Sequence, residues 1–105
     1  MSTVAGTSGG AGRKARPRLV FFTSAVSGRC RRAEGYLAQV LQRRRNHGTF
    51  RLYRVDERER PDLARRFGVD EVPTLVVVEG RTVHARLVKP RGAREIESFL
   101  APWLR

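Results

Sequence analysis

Residues 19–30, with the sequence LVFFTSAVSGRC, decide the fold of this 105-residue chain. The four large apolar residues at 19–22 are consecutive, which is typical of a strand covered on both faces of a sheet. Ser27 is a natural helix N-cap, because its hydroxyl can accept the backbone N–H of Cys30 three residues further on. The stretch therefore predicts a buried strand over residues 18–24 that turns directly into a helix.

Helical and strand periodicities continue along the chain. Apolar or small residues recur at helical spacing from Ala33 to Leu41, so one stripe of the first helix faces inward, and arginines 43–45 fall in its last turn. Residues 50–55 alternate between two faces, as a second strand does. The later elements are a short helix between Pro61 and Gly68, a hairpin of strands at 74–78 and 82–88, and a last helix from about Ala93. The order β-α-β-α-β-β-α predicts an α/β fold with a mixed four-stranded sheet flanked by three helices.

Composition indicates how the chain is organised. Residues 1–16 are mostly Gly, Ser, Thr, Ala and basic residues, so we expect them to form a flexible basic tail, with one domain over residues 17–105. No apolar run is long enough for a secretory signal or a bilayer span. The single cysteine excludes an internal disulfide, which agrees with a reducing compartment. We therefore expect a cytoplasmic protein without a membrane partner.

Positive charge is concentrated in the first half of the chain. The net charge is +12, and residues 1–54 carry twelve basic residues against the single acid Glu34. Such a surface attracts polyanions, although twenty of the basic residues are Arg, as a coding bias would also produce. The candidate polyanion-binding residues are Arg13, Lys14, Arg16, Arg43, Arg44 and Arg45. The chain lacks the interleaved aromatic residues that stack on bases, so this pattern indicates non-specific nucleic-acid contact at most.

With VSGRC (residues 26–30) at the strand-to-helix turn and VPT (residues 72–74) at the start of a later apolar strand, the chain resembles the thioredoxin superfamily from Arg18 to its C-terminus. The family's Trp-Cys-Gly-Pro-Cys is matched by residues 26–30, VSGRC, and its Ile-Pro-Thr looks like residues 72–74, VPT. The flanking residues 67–69 and 75–80 also follow the family's pattern. The resemblance implies a thioredoxin-like core with a cis proline at Pro73. It also implies that an extended protein or peptide partner lies across Gly28, Arg29, Val72, Pro73 and Thr74.

Several departures from the family's pattern concern its chemistry. Ser27 occupies the position of the attacking cysteine, and an alcohol cannot replace a thiolate in disulfide exchange. The family's buried Asp corresponds to Phe21, its Lys partner to about Leu52, and its active-site Trp to Val26. Ordinary dithiol disulfide reductase activity is therefore not expected.

Cys30 admits two interpretations. The helix N-terminus and the adjacent arginines favour a thiolate, which would make Cys30 a monothiol nucleophile or the link of a disulfide-bonded dimer. The family's second cysteine is usually shielded, and burial favours the neutral thiol, which would make Cys30 a small structural side chain.

Three functions follow from these observations. The leading hypothesis is a protein- or peptide-binding module near Ser27, Cys30 and Pro73. The second is monothiol exchange at Cys30, contributing to redox homeostasis, and the third is polyanion or ribosome-associated binding through the Arg-rich half. We expect no cofactor, and no metal site because His47 and His84 lack companion ligands at metal spacing.

Overall fold

The structure is a computed structural model that describes residues 16–43 and 48–104. The elements occur in the predicted order, and the predicted α/β class is confirmed. They are β1 (Arg18–Thr23), α1 (Gly28–Gln42), β2 (Arg51–Asp56), α2 (Pro61–Arg66), β3 (Thr74–Glu79), β4 (Thr82–Val88) and α3 (Ala93–Leu100). The predicted basic tail lies outside the described residues except for Arg16. Among the helices that are described, none combines the length and the apolar character needed to cross a membrane.

The sheet is mixed, with the strand order β2-β1-β3-β4. β1 pairs in parallel with β2 and antiparallel with β3, and β3 and β4 form the antiparallel hairpin. β1 therefore has a neighbour on each side, and all four of its large apolar residues, 19–22, are buried. A consecutive apolar run is what such a central, doubly covered strand requires.

Alternate residues of β1 enter two separate cores. Leu19 and Phe21 pack in the core that α1 and α3 cover, together with Leu37 of α1 and Ile96 of α3. Val20 and Phe22 face the opposite side of the sheet, where the short helix α2 contributes Ala64. Phe22 packs there against Phe67, with ring centroids 5.9 Å apart. The two cores fix α1 and α2 on opposite faces of one strand.

Two local predictions need correction. Helix α1 ends at Gln42, and Arg43 is its C-cap in an extended conformation, so the arginines at 43–45 do not fall in its last turn; Arg44 and Arg45 lie outside the described residues. The second strand is shifted by one residue to Arg51–Asp56, and its Leu52 and Tyr53 are exposed. Among the described residues β2 pairs only with β1, at the margin of the sheet, and its first four residues are exposed. Alternation in this strand therefore does not mark two buried faces.

The C-terminal turn is attached to the β3–β4 hairpin through Glu79. Gly80 makes the hairpin turn with a φ of +61°, and a register shift leaves His84 as an extra residue in β4. His84 Nε2 lies 2.8 Å from Glu79 Oε1, and the indole N–H of Trp103 donates to Glu79 Oε2 at 3.3 Å. The ring of Trp103 also lies against Phe50 of the first core. These contacts hold the end of the chain on the sheet.

Gly68 ends the α2 segment in a conformation that favours glycine. Its φ is +69°, and the neighbouring Phe67 carbonyl accepts a 2.7 Å hydrogen bond from Arg86 Nε of β4. A Cβ at position 68 would lie 3.0 Å from the Arg86 guanidinium. The reversal of the chain between α2 and β3 therefore depends on a residue without a side chain.

Gly68→Ala is expected to lower the free energy of unfolding by about 1–2 kcal/mol, because an L residue in the left-handed region costs roughly that much. Gly35→Ala is the matched control. Gly35 lies inside α1 with no atom within 4 Å of an added Cβ, so alanine there should raise the free energy of unfolding by up to about 1 kcal/mol. Urea denaturation of the two variants measures both changes, and shifts in the same direction would contradict this account.

Candidate functional site

The sheet register brings the two sequence motifs together. Phe22 near the end of β1 is paired with Thr74 at the start of β3, so the β1–α1 turn and the residues 71–74 lie at the same edge of the sheet. The turn carries Ser27, and the loop carries Pro73. Residues almost fifty positions apart in the sequence thus form one site at the N-terminus of α1.

The β1–α1 turn is closed by serine hydrogen bonds. Ser27 N–H donates to the carbonyl of Ser24 at 3.3 Å, and Ser27 Oγ accepts the N–H of Cys30 at 3.2 Å. Ser27 is therefore the N-cap of α1, as the sequence predicts. Its neighbour Val26 is 69% exposed, a large apolar side chain in contact with solvent beside the cap.

Cys30 lies one turn into α1 on the side that faces the protein interior. Its side chain is only 1% exposed, and Ala33 and Leu37 continue the same buried stripe. Attack on a substrate or a bond to a second copy would require the Sγ atom to reach the surface. The burial of Cys30 is typical of a structural side chain. The disulfide-linked dimer stays a prediction.

The loop opposite the cap is held in place from both ends. The Val72–Pro73 peptide bond is cis, and Pro73 and Thr74 are buried. Thr74 Oγ1 donates to the carbonyl of Glu71 at 2.6 Å, and the Pro73 carbonyl accepts the N–H of Lys89 at 2.7 Å. The Val72 backbone makes no hydrogen bond to another described residue. Thr74 thus supports the loop from inside, and the half-buried Val72 is the part of the loop that can meet a partner.

Lys89 contributes to the site from the β4–α3 loop in an unusual conformation. Its φ is +51°, in the left-handed region, where a residue with a side chain is disfavoured by about 1–2 kcal/mol. Its Nζ lies 2.8 Å from Glu71 Oε1. The hydrogen bond and the positive charge of Lys89, together with the charge of Arg29, lower the pKa of Glu71. Glu71, Arg29 and Lys89 thus form one electrostatic group around the loop.

An open cleft of about 700 Å³ begins beside this group and runs between α1 and the β4–α3 loop. Its lining is predominantly polar and basic. The lining residues are Arg29, Arg32, Tyr36, Val88, Lys89, Pro90, Arg91 and Glu95. Among them, sequence reasoning identified only Arg29 as a binding residue. The available signal was the pair of basic segments, residues 29–32 and 89–91, which the predicted topology places at the same end of the sheet.

The sequence profile of the thioredoxin family matches residues 12–102. The chain belongs to the thioredoxin family. Solved structures with the same fold include mitochondrial thioredoxin 3 of Saccharomyces cerevisiae, which is 18% identical with a TM-score of 0.69 and coverage of 82% of this chain and 77% of its own. Thioredoxin O2 of Arabidopsis thaliana is 22% identical, with a TM-score of 0.71 and coverage of 86% and 76%. Trxlp of Edwardsiella tarda is 18% identical, with a TM-score of 0.73 and coverage of 86% and 84%.

At these identities the structural likeness shows the fold alone, and no curated protein matches the chain. The thioredoxin fold gives the departures noted in the sequence a physical setting. Phe21, at the position predicted for the family's buried Asp, is completely buried in the core under α1 and α3, and its side chain has no group that transfers a proton. Leu52, at about the position predicted for the Lys partner, is an exposed residue of the edge strand β2.

Of the Arg-rich set predicted to bind polyanions, the two described members, Arg16 and Arg43, make their contacts away from the Ser27–Pro73 site. Arg43 forms a 3.2 Å ion pair with Glu97, and Arg16 donates to the Gly48 carbonyl at 3.3 Å. Arg43 caps the far end of α1, about 22 Å from its N-terminus. The other members, Arg13, Lys14, Arg44 and Arg45, lie outside the described residues. Over residues 16–43 and 48–104, no group of three His, Cys, Asp or Glu residues is arranged to hold a metal ion.

Ser27→Ala is expected to lower the free energy of unfolding by about 1 kcal/mol, because the N–H of Cys30 loses its acceptor. Ser98→Ala on the exposed surface of α3 is the control, and alanine there should be neutral or slightly stabilising. Chemical denaturation compares the two. An N-cap variant as stable as the control would show that the hydroxyl does not hold the turn.

Lys89→Met is expected to raise the pKa of Glu71 towards its ordinary value, and Arg29→Met should raise it less. A lowered carboxyl pKa stabilises the folded state at pH values above the pKa of the unfolded chain. That contribution is lost as the pH falls through the folded-state pKa. The stability difference between wild type and Lys89→Met should therefore shrink in acid. NMR titration of the Glu71 side chain measures its pKa directly. A Glu71 pKa that is the same in Lys89→Met as in the wild type would show that the Lys89 pair does not lower it.

Proposed function

We propose that this member of the thioredoxin family binds an extended peptide across the Ser27–Pro73 site and does not run a dithiol cycle. One observation carries the proposal. The only cysteine is buried beneath the capped start of α1, while Val26 of the neighbouring turn is exposed and the backbone of the half-buried Val72 makes no hydrogen bond to another described residue. The site thus retains surface for a partner and has no accessible sulfur for exchange.

The chemistry of the cap supports the absence of a dithiol cycle. Disulfide exchange begins with a thiolate at the position of Ser27 and is completed by the second thiol. An aliphatic alcohol is not ionised near neutral pH, and Ser27 Oγ already accepts the Cys30 N–H. A mixed disulfide therefore has neither an attacking atom nor an accessible resolving one.

The loop and its surroundings support peptide binding. A backbone segment without internal hydrogen bonds can pair with an extended chain, which gives affinity without the missing cysteine. Two apolar side chains on neighbouring elements are exposed: Val26 of the β1–α1 turn by 69%, and Val88, the strand partner of Thr74, by 50%. They would provide pockets or contact area for alternate side chains of the peptide.

The two other functions predicted from the sequence have less structural support. Monothiol exchange requires Cys30 to leave the buried stripe of α1. For the polyanion function, Arg43 is offset by its ion pair with Glu97, and Arg16 is the one described member of the set without a carboxylate partner.

In an insulin reduction assay, wild-type protein is expected to give no acceleration over dithiothreitol alone, since no thiolate is available at position 27. In parallel, Cys30 should react with iodoacetamide only after denaturation, because its side chain is buried. Ser27→Cys is the matched variant, which returns an accessible thiol to the N-cap. Turnover of the wild type at the level of a dithiol thioredoxin, or rapid alkylation of the folded protein, would overturn the proposal.

Peptide binding is tested by selecting ligands from a random synthetic library of peptides about ten residues long. Selected peptides should shift the backbone amide NMR signals of Val72 and of the Ser27 turn. Val26→Ser should weaken their binding several-fold, because it removes exposed apolar area at the site. Leu52→Ser is the control on the exposed strand β2, distant from the turn, and should leave binding unchanged. Ligands that leave the Val72 signals unmoved would refute the proposed site.

A further inference from the structure

The cleft beside the peptide site carries four cations on two different elements. Arg29 and Arg32 belong to the first turns of α1, and Lys89 and Arg91 belong to the β4–α3 loop. We call this the basic cleft. Arg32 folds back over the start of α1, with its guanidinium 3.6 Å from the position that a Cβ on Gly28 would occupy. Positive charge thus converges on the cleft from both walls.

The charges of the basic cleft are mostly uncompensated. Arg29, Arg32 and Arg91 form no ion pair with another described residue, whereas Arg43, Arg54 and Arg60 elsewhere each pair with a carboxylate. The one carboxylate in the lining, Glu95, accepts the backbone N–H of Arg91 at 2.8 Å as part of the entry into α3. Lys89 pairs with Glu71 at the margin of the cleft. The cleft therefore presents the guanidinium groups of Arg32 and Arg91 without an ion-pair partner among the described residues. The charge of Arg29 is offset in part by Glu71, which lies close enough for Arg29 to lower its pKa.

The basic cleft is continuous with the Val72 loop. The N–H of Lys89 is bonded to the Pro73 carbonyl, and Val88 of the cleft is the strand partner of Thr74. On the other wall, Arg29 directly follows the Ser27–Gly28 start of α1. A peptide that pairs with the Val72 backbone would therefore place the side chains of its following residues in the cleft.

From this arrangement we propose that the peptide recognised at the Ser27–Pro73 site is acidic, with Asp or Glu side chains that bind Arg29, Arg32 and Arg91 in the basic cleft. This inference rests on the proposed peptide-binding function and names the chemistry of its partner. Guanidinium groups hold carboxylates through two parallel hydrogen bonds, which gives both attraction and orientation. Lys89, whose ammonium is paired with Glu71, adds positive charge at the junction with the loop.

The lining of the cleft favours a peptide over a nucleic acid. Single-stranded nucleic acids are bound through phosphates and through several aromatic side chains that stack on successive bases. The cleft offers one aromatic residue, Tyr36, which is partly buried against the core. Between the cations lies the half-exposed aliphatic side chain of Val88. Cations alternating with a small apolar surface match an extended peptide of mixed acidic and apolar residues.

The test uses full-length protein and the random peptide library, in about 0.3 M salt, where exposed charges more than roughly 6 Å apart are screened. Peptides selected on wild type should be enriched in Asp and Glu next to apolar residues. Their binding should fall about tenfold or more in the double variant Arg29→Gln/Arg91→Gln. It should fall by a similar factor when the Asp and Glu residues of a selected peptide are replaced by Asn and Gln.

The control variant is Arg66→Gln/Arg81→Gln, which removes the same charge elsewhere. Arg81 is exposed at the hairpin turn, at the opposite end of β3 from Pro73, about 20 Å away, and Arg66 is exposed on α2. The control should keep wild-type affinity for the acidic peptides. Equal losses in both double variants would overturn the inference, because they would show a response to net charge alone.

The outcomes also separate the two proposals. Peptides that move the Val72 signals but show no acidic enrichment would leave peptide binding intact and refute the acidic partner. A selection that yields no ligand at the Val72 loop would refute both. A single-stranded oligonucleotide that displaces the acidic peptides from the cleft at equal or lower concentration would instead identify a nucleic-acid site.

Discussion

The double burial of β1 is the constraint on which the rest of the structure depends. Leu19 and Phe21 are covered by α1 and α3, while Val20 and Phe22 are covered from the side of α2, so both faces of the strand are fixed. Hydrogen bonds to β2 and β3 fix its two edges. The end of β1 therefore has a single position relative to the start of β3. That position sets Ser27 beside the Val72–Pro73 loop, and the functional argument follows from it.

The sequence predicted the elements because their signals are local. A consecutive apolar run, an i, i+3, i+4 stripe and the Pro61 and Gly68 boundaries each depend on a few neighbouring residues. The predicted end of α1 was wrong because arginines at 43–45 are compatible either with the last turn of a helix or with the cap that follows it. The exposure of Leu52 and Tyr53 was missed because alternation does not show how far other elements cover each face of a strand.

The site was predictable only in part, for a related reason. The Ser27 cap and the Pro73 loop are motifs, and each could be recognised by itself. The basic cleft has no motif, since it arises where the first turns of α1 meet the β4–α3 loop around Lys89. The left-handed conformation of Lys89 gave no sequence signal either, because glycine is the residue expected there. The predicted topology places the two basic segments at the same end of the sheet, but the local conformation at Lys89, which the sequence does not show, is part of what forms the cleft.

The attachment of the C-terminal turn also determines what optical spectroscopy would detect in this protein. Trp103 is the only tryptophan, and it contacts Phe50, His84 and Glu79 at the hairpin end of the sheet. The indole is therefore remote from the turn where thioredoxins carry their reporter tryptophan next to the cysteines. The fluorescence emission of Trp103 would therefore change when the last turn leaves the hairpin during unfolding. It would change little when a ligand binds at the Ser27–Pro73 site, at the opposite end of β3.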